Sequence, residues 1–408
     1  MKIYKVGGCV RDALLNCPPH DIDYLVVGGT VEEMQRKGFK QVGKDFPVFL
    51  HPITQDEYAL ARKEIKTGNK HTDFEFVFTP DITLAEDMQR RDFTINALAQ
   101  DVVTGEIVDL VGGVKDLEQK VIRHVNSQHF CEDPLRVLRM CRFAAKLDFS
   151  VAPETMQLAK NMVAAGMLSH LTPERIWKEI EKALETKHFE KFIRTAKECG
   201  ALKVILPEID KLWNIPEKEQ YHPEGNSGEH TMLVVRNGEY LSPKVKFALL
   251  LHDVGKGITP KEILPAHHGH DSRGVLLIEK ICRRLPVPKE YKQIAILGCK
   301  EHMKFRLLPQ MKIGKKLDFI DTISASFKDE RQMSDLIEIC RCDMLGRAKT
   351  LEADELEDFD KAVTICRKIF NKAQNIRATQ MPNFDKLPKG PAFAELYRNY
   401  RIKCISEK

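Results

Sequence analysis

Two aspartates spaced i, i+2 stand in the segment HDIDYLVVG, a dozen residues after the Gly-Gly and Arg-Asp pairs of KVGGCVRD. In a strand that spacing puts Asp21 and Asp23 on one face and Ile22 and Tyr24 on the other. Two carboxylates that point the same way repel unless a hard cation lies between them. Oxygen ligands of this kind suit Mg²⁺, above all where substrate phosphates complete its shell. Gly7 and Gly8 let backbone N–H groups approach a phosphate without side-chain obstruction, and Arg11 can fork onto its oxygens. A pair of metal ions about 3.5–4 Å apart would activate an attacking hydroxyl and stabilise the leaving oxygens, with no covalent enzyme intermediate. Singly, each piece reads as a turn or a polar strand edge; the order GG, RD, DxD is far more specific.

A second constellation lies in EDPLRVLRMCRFAAKL (132–147). On a helix, Asp133 and Arg136 are i, i+3 neighbours, and geometry alone reads them as a surface salt bridge worth under about 1 kcal/mol. A sharper reading is also open. A carboxylate accepts and a guanidinium only donates, whereas cytosine and adenine each present an amino donor beside a ring-nitrogen acceptor. A fixed Asp-Arg pair matches both bases, while guanine and uracil present the reverse order and leave mispaired polar groups. Arg142 falls about half a turn from Asp133 by the 3.6-residue period, which suits a triphosphate or the helix's other face. Leu135, Leu138, Cys141 and Ala145 form the stripe that docks the helix.

Histidines concentrate in SGEHTML (227–233), LLHDVGKG (250–257), PAHHGHDS (265–272) and KEHMKF (300–305). A lone buried histidine is usually a satisfied core residue, but adjacent His252-Asp253 followed by Gly255-Lys256 is more specific. Imidazole and carboxylate ligands with open positions suit a transition metal or Mg²⁺ that activates water against a phosphate ester.

These residues need elements to hold them. Residues 1 to about 125 mix β-rich segments (IDYLVVG, PVFLHPI, EYALAR, FEFVF, EIVDLVGG) with helical ones, and from residue 132 the pattern is almost wholly helical. Thr172-Pro173 ahead of ERIWKEIEKAL reads as a helix start, and the polar EKEQYHPEGNSGEH (217–230) as a boundary loop. The expected division is 1–125, 126–220, 221–330 and 331–408, with MPNFDKLPKGPAF a loop before a last helix. A chain of 408 residues, 43% hydrophobic and 30% charged, is a soluble globular protein of two to four domains without an apolar run of membrane-span length. The net charge of +5 permits an anionic partner without demanding one. Eleven cysteines without a CxxC pair read as reduced thiols, Cys340 and Cys342 of CRC included. No apolar leader opens the sequence, so the protein is expected to stay in the cytoplasm.

GGCVRD with DID resembles the signature of the DNA-polymerase-β-like nucleotidyltransferases. RRDFTINALA (90–99) and EDPLRVLRMCRF (132–143) narrow the resemblance to class II tRNA nucleotidyltransferases, the CCA-adding enzymes, and the histidine-rich half narrows it to the bacterial type with an HD phosphohydrolase domain. The resemblance implies an α+β architecture, a nucleotidyltransferase head followed by an all-α body with an HD-type helical domain. It implies that Asp21 and Asp23 are the Mg²⁺-binding catalytic carboxylates, that Gly8, Arg11 and Arg91 hold the triphosphate, and that Asp92 and Asn96 brace the sugar or the local fold. Asp133, Arg136, Arg139 and Arg142 then contact the nucleotide, and KEIKTGNKHTD (63–73) is a closing loop. Glu57 stands where a third carboxylate could fall, although buried pairing with Arg62 explains it equally.

In the HD half the resemblance implies a site of His230, His252, Asp253 and a later aspartate, for which Asp343 is the candidate. A divalent transition metal such as Ni²⁺ would fill it, and His267, His268, His270 and His302 would assist at the phosphate. Glu301-His302 is followed by Met303, so no second His-Asp pair stands there. The implied partners are tRNA, CTP and ATP, with no DNA and no membrane, in a monomer or homodimer. The implied reactions are CCA addition and hydrolysis of 2′-phosphate or 2′,3′-cyclic phosphate ends. The nearest rival is a bacterial poly(A) polymerase, which shares the head motifs but lacks the HD segment; a further rival is a retired head on an active HD domain.

Overall fold

The computed structural model describes residues 1–19, 21–42, 48–66, 74–326 and 330–407. It divides into two compact units, one of residues 1–183 and 191–205, the other of 184–190 and 206–408.

The first unit is built on a seven-stranded sheet. Its strands are β1 (Lys2–Val6), β2 (Asp23–Val27), β3 (Lys40–Gln41), β4 (Val48–Leu50), β5 (Glu57–Leu60), and, past the β6/β7 hairpin (Lys63–Lys66, Phe74–Val77), β8 (Leu98–Asp101) and β9 (Ile107–Asp109). The order is β3-β4-β5-β2-β1-β8-β9, antiparallel except where β2 runs parallel to β5. Leu25 and Val26 alternate across β2 and seed a core on each face. Leu25 packs with Tyr4, Val6, Ile82 and Met88, and Val26 with Met34, Phe49 and Leu60.

Helix α1 (Gly8–Leu14) leaves β1 through Gly7, whose φ of 75° favours glycine and where a Cβ would press on the Arg91 guanidinium at 3.1 Å. Helices α2 (Val31–Arg36) and α3 (Leu84–Gln89) each begin with a capping box, Thr30 with Glu33 and Thr83 with Glu86. After α4 (Gly113–Glu118) come α5 (Ser127–Glu132), capped by Asn126, and α6 (Leu135–Leu147), then α7 (Pro153–Ala164), α8 (Pro173–Leu184), α9 (Phe189–Glu198) and α10 (Ala201–Ile205). Leu138, Cys141 and Ala145 of α6 are buried as the stripe predicts; Leu135 is half-buried.

The second unit is helical among its described residues: α11 (Pro207–Asp210), α12 (Ser227–Asn237), α13 (Pro243–Leu251), α14 (His270–Arg284), α15 (Lys289–Arg306), α16 (Ile313–Ser326), α17 (Glu330–Leu345), α18 (Ala353–Asn375) and α19 (Pro391–Ser406), joined by short 3-10 turns. Helix α13 is apolar nearly all round, with Phe247 through Leu251 buried, and α15 and α17 pack against it. The turn Val254–Ile258 lies so close to the start of α14 that a Cβ on Gly255 would collide with the His270 carbonyl. No helix among the described residues is long and apolar enough to cross a membrane.

Candidate functional sites

In the first unit, Gly7, Gly8, Arg11, Asp23, Arg91, Asp133, Arg136, Arg139 and Arg142 line a single cavity of about 560 Å³. Asp23 opens β2, whereas Asp21 precedes the strand in an exposed bend, so the expected two-residue strand face is only partly formed. The Asp21 charge still reaches Asp23. Burial, with that charge, pushes the Asp23 pKa up, and Arg91 pulls it back. A divalent cation fits this pair, since it would stabilise the Asp23 carboxylate against the desolvation, and the smaller repulsion from Asp21, that raise its pKa. Glu57 is exposed and sits directly beside Asp23 in the β2/β5 register, on the same face of the sheet. Arg62 pairs with Glu64 at 2.8 Å, so the expected buried Glu57–Arg62 pair gives way to a carboxylate beside the site. Of KEIKTGNKHTD, residues 67–73 lie outside the described residues.

Behind the cavity, Asp92 is the hub of a buried network. Arg11, 3% exposed, donates to the Asn96 side-chain oxygen, and Asn96 donates to Asp92 Oδ1 at 3.0 Å. Arg139 closes on Asp92 Oδ2 with two bonds of 2.8 and 2.6 Å. Burial would raise the Asp92 pKa, but Arg139 and Asn96 hold it below the usual carboxylate range. Arg91 is oriented by Asp87, which also binds Arg90. Phe143 carries guanidinium groups over its ring from Arg142, Arg11 and Arg139 at 4.4, 5.3 and 5.6 Å.

The expected helical Asp133–Arg136 pair is not formed as such. Pro134 biases the preceding residue toward extended backbone, so Asp133 (φ −122°, ψ 105°) ends α5 and precedes α6 instead of sharing a helix with Arg136. Its carboxylate caps the Leu135 amide and accepts from Arg175 at 2.8 Å, while Arg136 donates to the carbonyls of His129 and Arg90 at 2.9 and 2.7 Å. Both residues still face the cavity, held by separate partners. Arg142 is buried against Glu179 at 2.5 Å. Arg175 and Glu179 lie one turn apart on α8, in a segment whose sequence reads only as a helix start; Arg175 lines the same cavity.

In the second unit the histidines converge. α12 supplies His230, the end of α13 supplies His252 and Asp253, and α17 supplies Asp343. His230 Nε2 lies 3.1 Å from Asp343 Oδ1, and His252 Nε2 lies 3.2 Å from Asp253 Oδ2. His270 from α14 and His302 from α15 approach the other oxygen, Asp253 Oδ1, at 3.2 and 3.6 Å. The buried trios His230–His252–Asp343 and Asp253–His270–His302 each bring ligand atoms within 4.8 Å of one another. Asp253 thus faces both groups with different oxygens. His252 Nε2 and Asp253 Oδ1 are buried without a hydrogen-bond partner, an expensive state in an apolar interior that a bound cation would relieve.

Burial holds His302 down to about 4, hence neutral, against the pull of Asp253 and Asp343; burial would raise the Asp253 pKa, but Lys256 and the imidazoles hold it ionised. His267 bonds Thr259 and faces Glu217; His268 is exposed on the rim. The sequence reading passed over Glu224 and Glu217. Glu224 fixes His230 through Nδ1 at 2.9 Å and accepts the Ala348 amide, the outer carboxylate typical of a metal-ligating histidine. Glu217 anchors Lys256 at 2.7 Å. Cys340 and Cys342 are buried and belong to neither trio.

A family model described as the poly A polymerase head domain matches residues 3–123, one described as the "probable RNA and SrmB- binding site of polymerase A" matches 148–212, and the HD domain model matches 228–345. Among solved structures, a CCA-adding enzyme in an apo form matches with a TM-score of 0.64 at 21% identity, covering 100% of this chain and 88% of that one. A complex of a CCA-adding enzyme with ATP matches with a TM-score of 0.63 at 20% identity, covering 99% and 86%. The Thermotoga maritima CCA-adding enzyme complexed with tRNA matches with a TM-score of 0.60 at 19% identity, covering 100% and 88%. At these identities the structures establish the shared fold. The chain thus carries a poly A polymerase head domain at residues 3–123, an RNA-binding segment at 148–212 and an HD domain at 228–345, on the fold that the CCA-adding enzymes share.

Proposed function

We propose that this protein adds CCA to the 3′ end of tRNA from CTP and ATP, releasing pyrophosphate, and that its HD domain hydrolyses phosphate esters at RNA ends. The observation that carries the first part is the single cavity that joins Gly8, Arg11 and Asp23 to Asp133 and Arg136. In this reading the Gly8 amide, Arg11 and Arg91 take the triphosphate, and Arg139 and Arg142, stacked over Phe143, keep the wall positive. Asp133, held by Arg175, accepts from the exocyclic amino group that cytosine and adenine share. Arg136, spending two donors on backbone carbonyls, offers its others to the ring nitrogen beside it. Mg²⁺ on Asp21 and Asp23 would supply Lewis-acid activation of the RNA hydroxyl and charge neutralisation at the phosphates.

In the HD domain, His230, His252, Asp253 and Asp343 would hold a divalent transition ion, Ni²⁺ among those to try, and Asp253, His270 and His302 have the make-up to hold a second. Such ions supply an activated water and polarise the ester. Glu224 fixes the His230 ring, and Lys256 stands beside Asp253 to meet negative charge. The 2′-phosphate and 2′,3′-cyclic phosphate ends left by RNA damage are the substrates to which we assign it.

The test is incorporation into a tRNA transcript that lacks its last three residues, with each NTP offered singly and then CTP with ATP. Two C additions, followed by one A once ATP is present, support the proposal. A long A tail would instead support poly(A) polymerase, the activity after which the matching head model is described.

A further inference from the structure

Two cavities in the HD half meet at one residue pair. The first, about 510 Å³, contains Asp253, His270, His302 and Asp343 and is also lined by Arg306 and Arg347. The second, about 390 Å³, is lined by Met303, Leu307, Met344 and Phe359 with a polar edge of Lys304, Gln310 and Asp358. Met303 and Arg306 line both, and Arg347 of the first donates to Glu355 of the second at 3.2 Å. Both volumes lie in the range of small-molecule sites, about 300–1,000 Å³.

The arginines are placed by the same helices as the metal-site residues. Arg306 follows His302 by four residues on α15, one turn and roughly 6 Å along the axis. Arg347 follows Asp343 by four, just beyond the end of α17. The Arg306 side chain is exposed and makes no hydrogen bond or ion pair among the described residues, and Arg347 is buried with its Nε unpartnered. Two neighbouring guanidinium groups, one unpaired and one with a spare buried donor, lower their mutual repulsion when an anion lies between them. The apolar second cavity with polar groups at its edge suits a nucleobase.

We propose that Arg306 and Arg347 form a subsite for the phosphodiester that precedes the terminal nucleotide of an RNA end, with the preceding base in the second cavity. The terminal phosphate ester then lies against the histidine-carboxylate cluster, one helical turn away. This rests on the phosphohydrolase reading above and deepens it: the HD domain reads at least two nucleotides, so an RNA end is preferred to a free mononucleotide.

The experiment uses the full chain loaded with Mn²⁺ or Ni²⁺ and three esters: bis(p-nitrophenyl) phosphate, adenosine 2′,3′-cyclic phosphate, and the dinucleotide ApA ending in a 2′,3′-cyclic phosphate. We expect kcat/KM for the dinucleotide to exceed that for the mononucleotide by about tenfold or more, mostly through KM, as one charged hydrogen-bonding contact supplies. Arg306→Ala should collapse that ratio, and Arg306→Lys should restore part of it. Met303→Glu, a change at a half-exposed position that puts negative charge at the junction, should lower the ratio too. Equal kcat/KM on dinucleotide and mononucleotide, or an unchanged ratio in Arg306→Ala, overturns the subsite.

Calorimetric binding of ApA 3′-phosphate to the same proteins separates this proposal from the reading beneath it. Binding that Arg306→Ala weakens about tenfold, without hydrolysis of any ester, keeps the subsite and refutes the phosphohydrolase. No binding by the unsubstituted chain refutes the subsite whether or not the small esters are cleaved.

Discussion

Replacing Asp92 with Asn tests whether the buried network behind the head cavity sets nucleotide geometry or only holds the fold. Asp92 accepts two bonds from Arg139, one from the Phe93 amide and one from Asn96, which in turn accepts from Arg11. Hydrogen bonds to an ionised partner contribute about 1.5–3 kcal/mol each. Arg139 is about one-third exposed, so water replaces part of what it loses, and the net cost should be about 2–4 kcal/mol. For a unit of this size that lowers Tm by roughly 5–15 °C.

The sign with pH follows from the depressed Asp92 pKa. Its contribution is fully present above the unfolded value, about 3.9, and is lost as pH falls from there through the lower folded value, so the gap between Asp92→Asn and the unsubstituted chain should narrow below about pH 4. If the network also positions Arg11 and Arg139, KM for CTP should rise about tenfold at temperatures where both proteins are folded. Thermal melts across pH 3–8 with steady-state incorporation give both quantities. A lowered Tm with unchanged KM would confine Asp92 to the fold, and an unchanged Tm would refute the energetic reasoning altogether.

Asp23→Ala should lower incorporation by on the order of a thousandfold or more while CTP binding, followed by fluorescence quenching, changes only a few-fold, because the loss falls on metal-assisted chemistry; full activity would end the carboxylate assignment. Arg175→Ala removes the partner that fixes Asp133 and should reduce the preference for CTP over UTP by about 10–100-fold, read as the ratio of kcat/KM values; an unaltered ratio would show that Asp133 is placed by its Leu135 cap alone. Gly255→Ala forces a methyl group against the His270 carbonyl and should abolish metal uptake by the HD domain, measured by elemental analysis of the dialysed protein, while CCA addition persists. Retained metal would show that the α14 start can shift without loss of the cluster.

What the sequence disclosed was what adjacency encodes. A glycine pair that turns into a helix, aspartates spaced for a strand, and a His-Asp dipeptide at the end of an apolar helix each carry their geometry locally. The strand start two residues later than the DxD pattern suggests is a small displacement of that kind. Asp133 shows where local reading fails: the i, i+3 spacing was sound arithmetic, but Pro134 takes Asp133 out of the helix, and its partner Arg175 is 42 residues away. Glu224 was hidden for a different reason. A glutamate in a loop of His, Pro, Gly, Asn and Ser is indistinguishable in sequence from a solvated one, and only tertiary packing brings it to His230 Nδ1. Likewise, nothing local says that Arg306 and Arg347, each four residues after a member of the HD cluster, share a cavity.

The two sites differ in the charge that each leaves uncompensated, and this orders their binding events. The head cavity collects Arg11, Arg91, Arg136, Arg139, Arg142 and Arg175, and spends Asp92 and Asp133 in holding some of them. The surplus is positive, so a triphosphate can enter with its Mg²⁺ and complete a shell that Asp21 and Asp23 only begin. The HD cluster is the opposite case. Asp253 and Asp343 are ionised beside Lys256 and a His230 raised to about 9, His302 is neutral, and His252 Nε2 and Asp253 Oδ1 are left without partners, so the first need there is a cation that takes the place of the His230 proton and satisfies both atoms. An anionic ester meets repulsion at those carboxylates until a cation is in place, and attraction at Arg306 and Arg347 throughout. A metal-free HD domain should therefore still hold an RNA end by its inner phosphodiester while failing to seat the terminal ester, a state in which affinity survives chelation and hydrolysis does not.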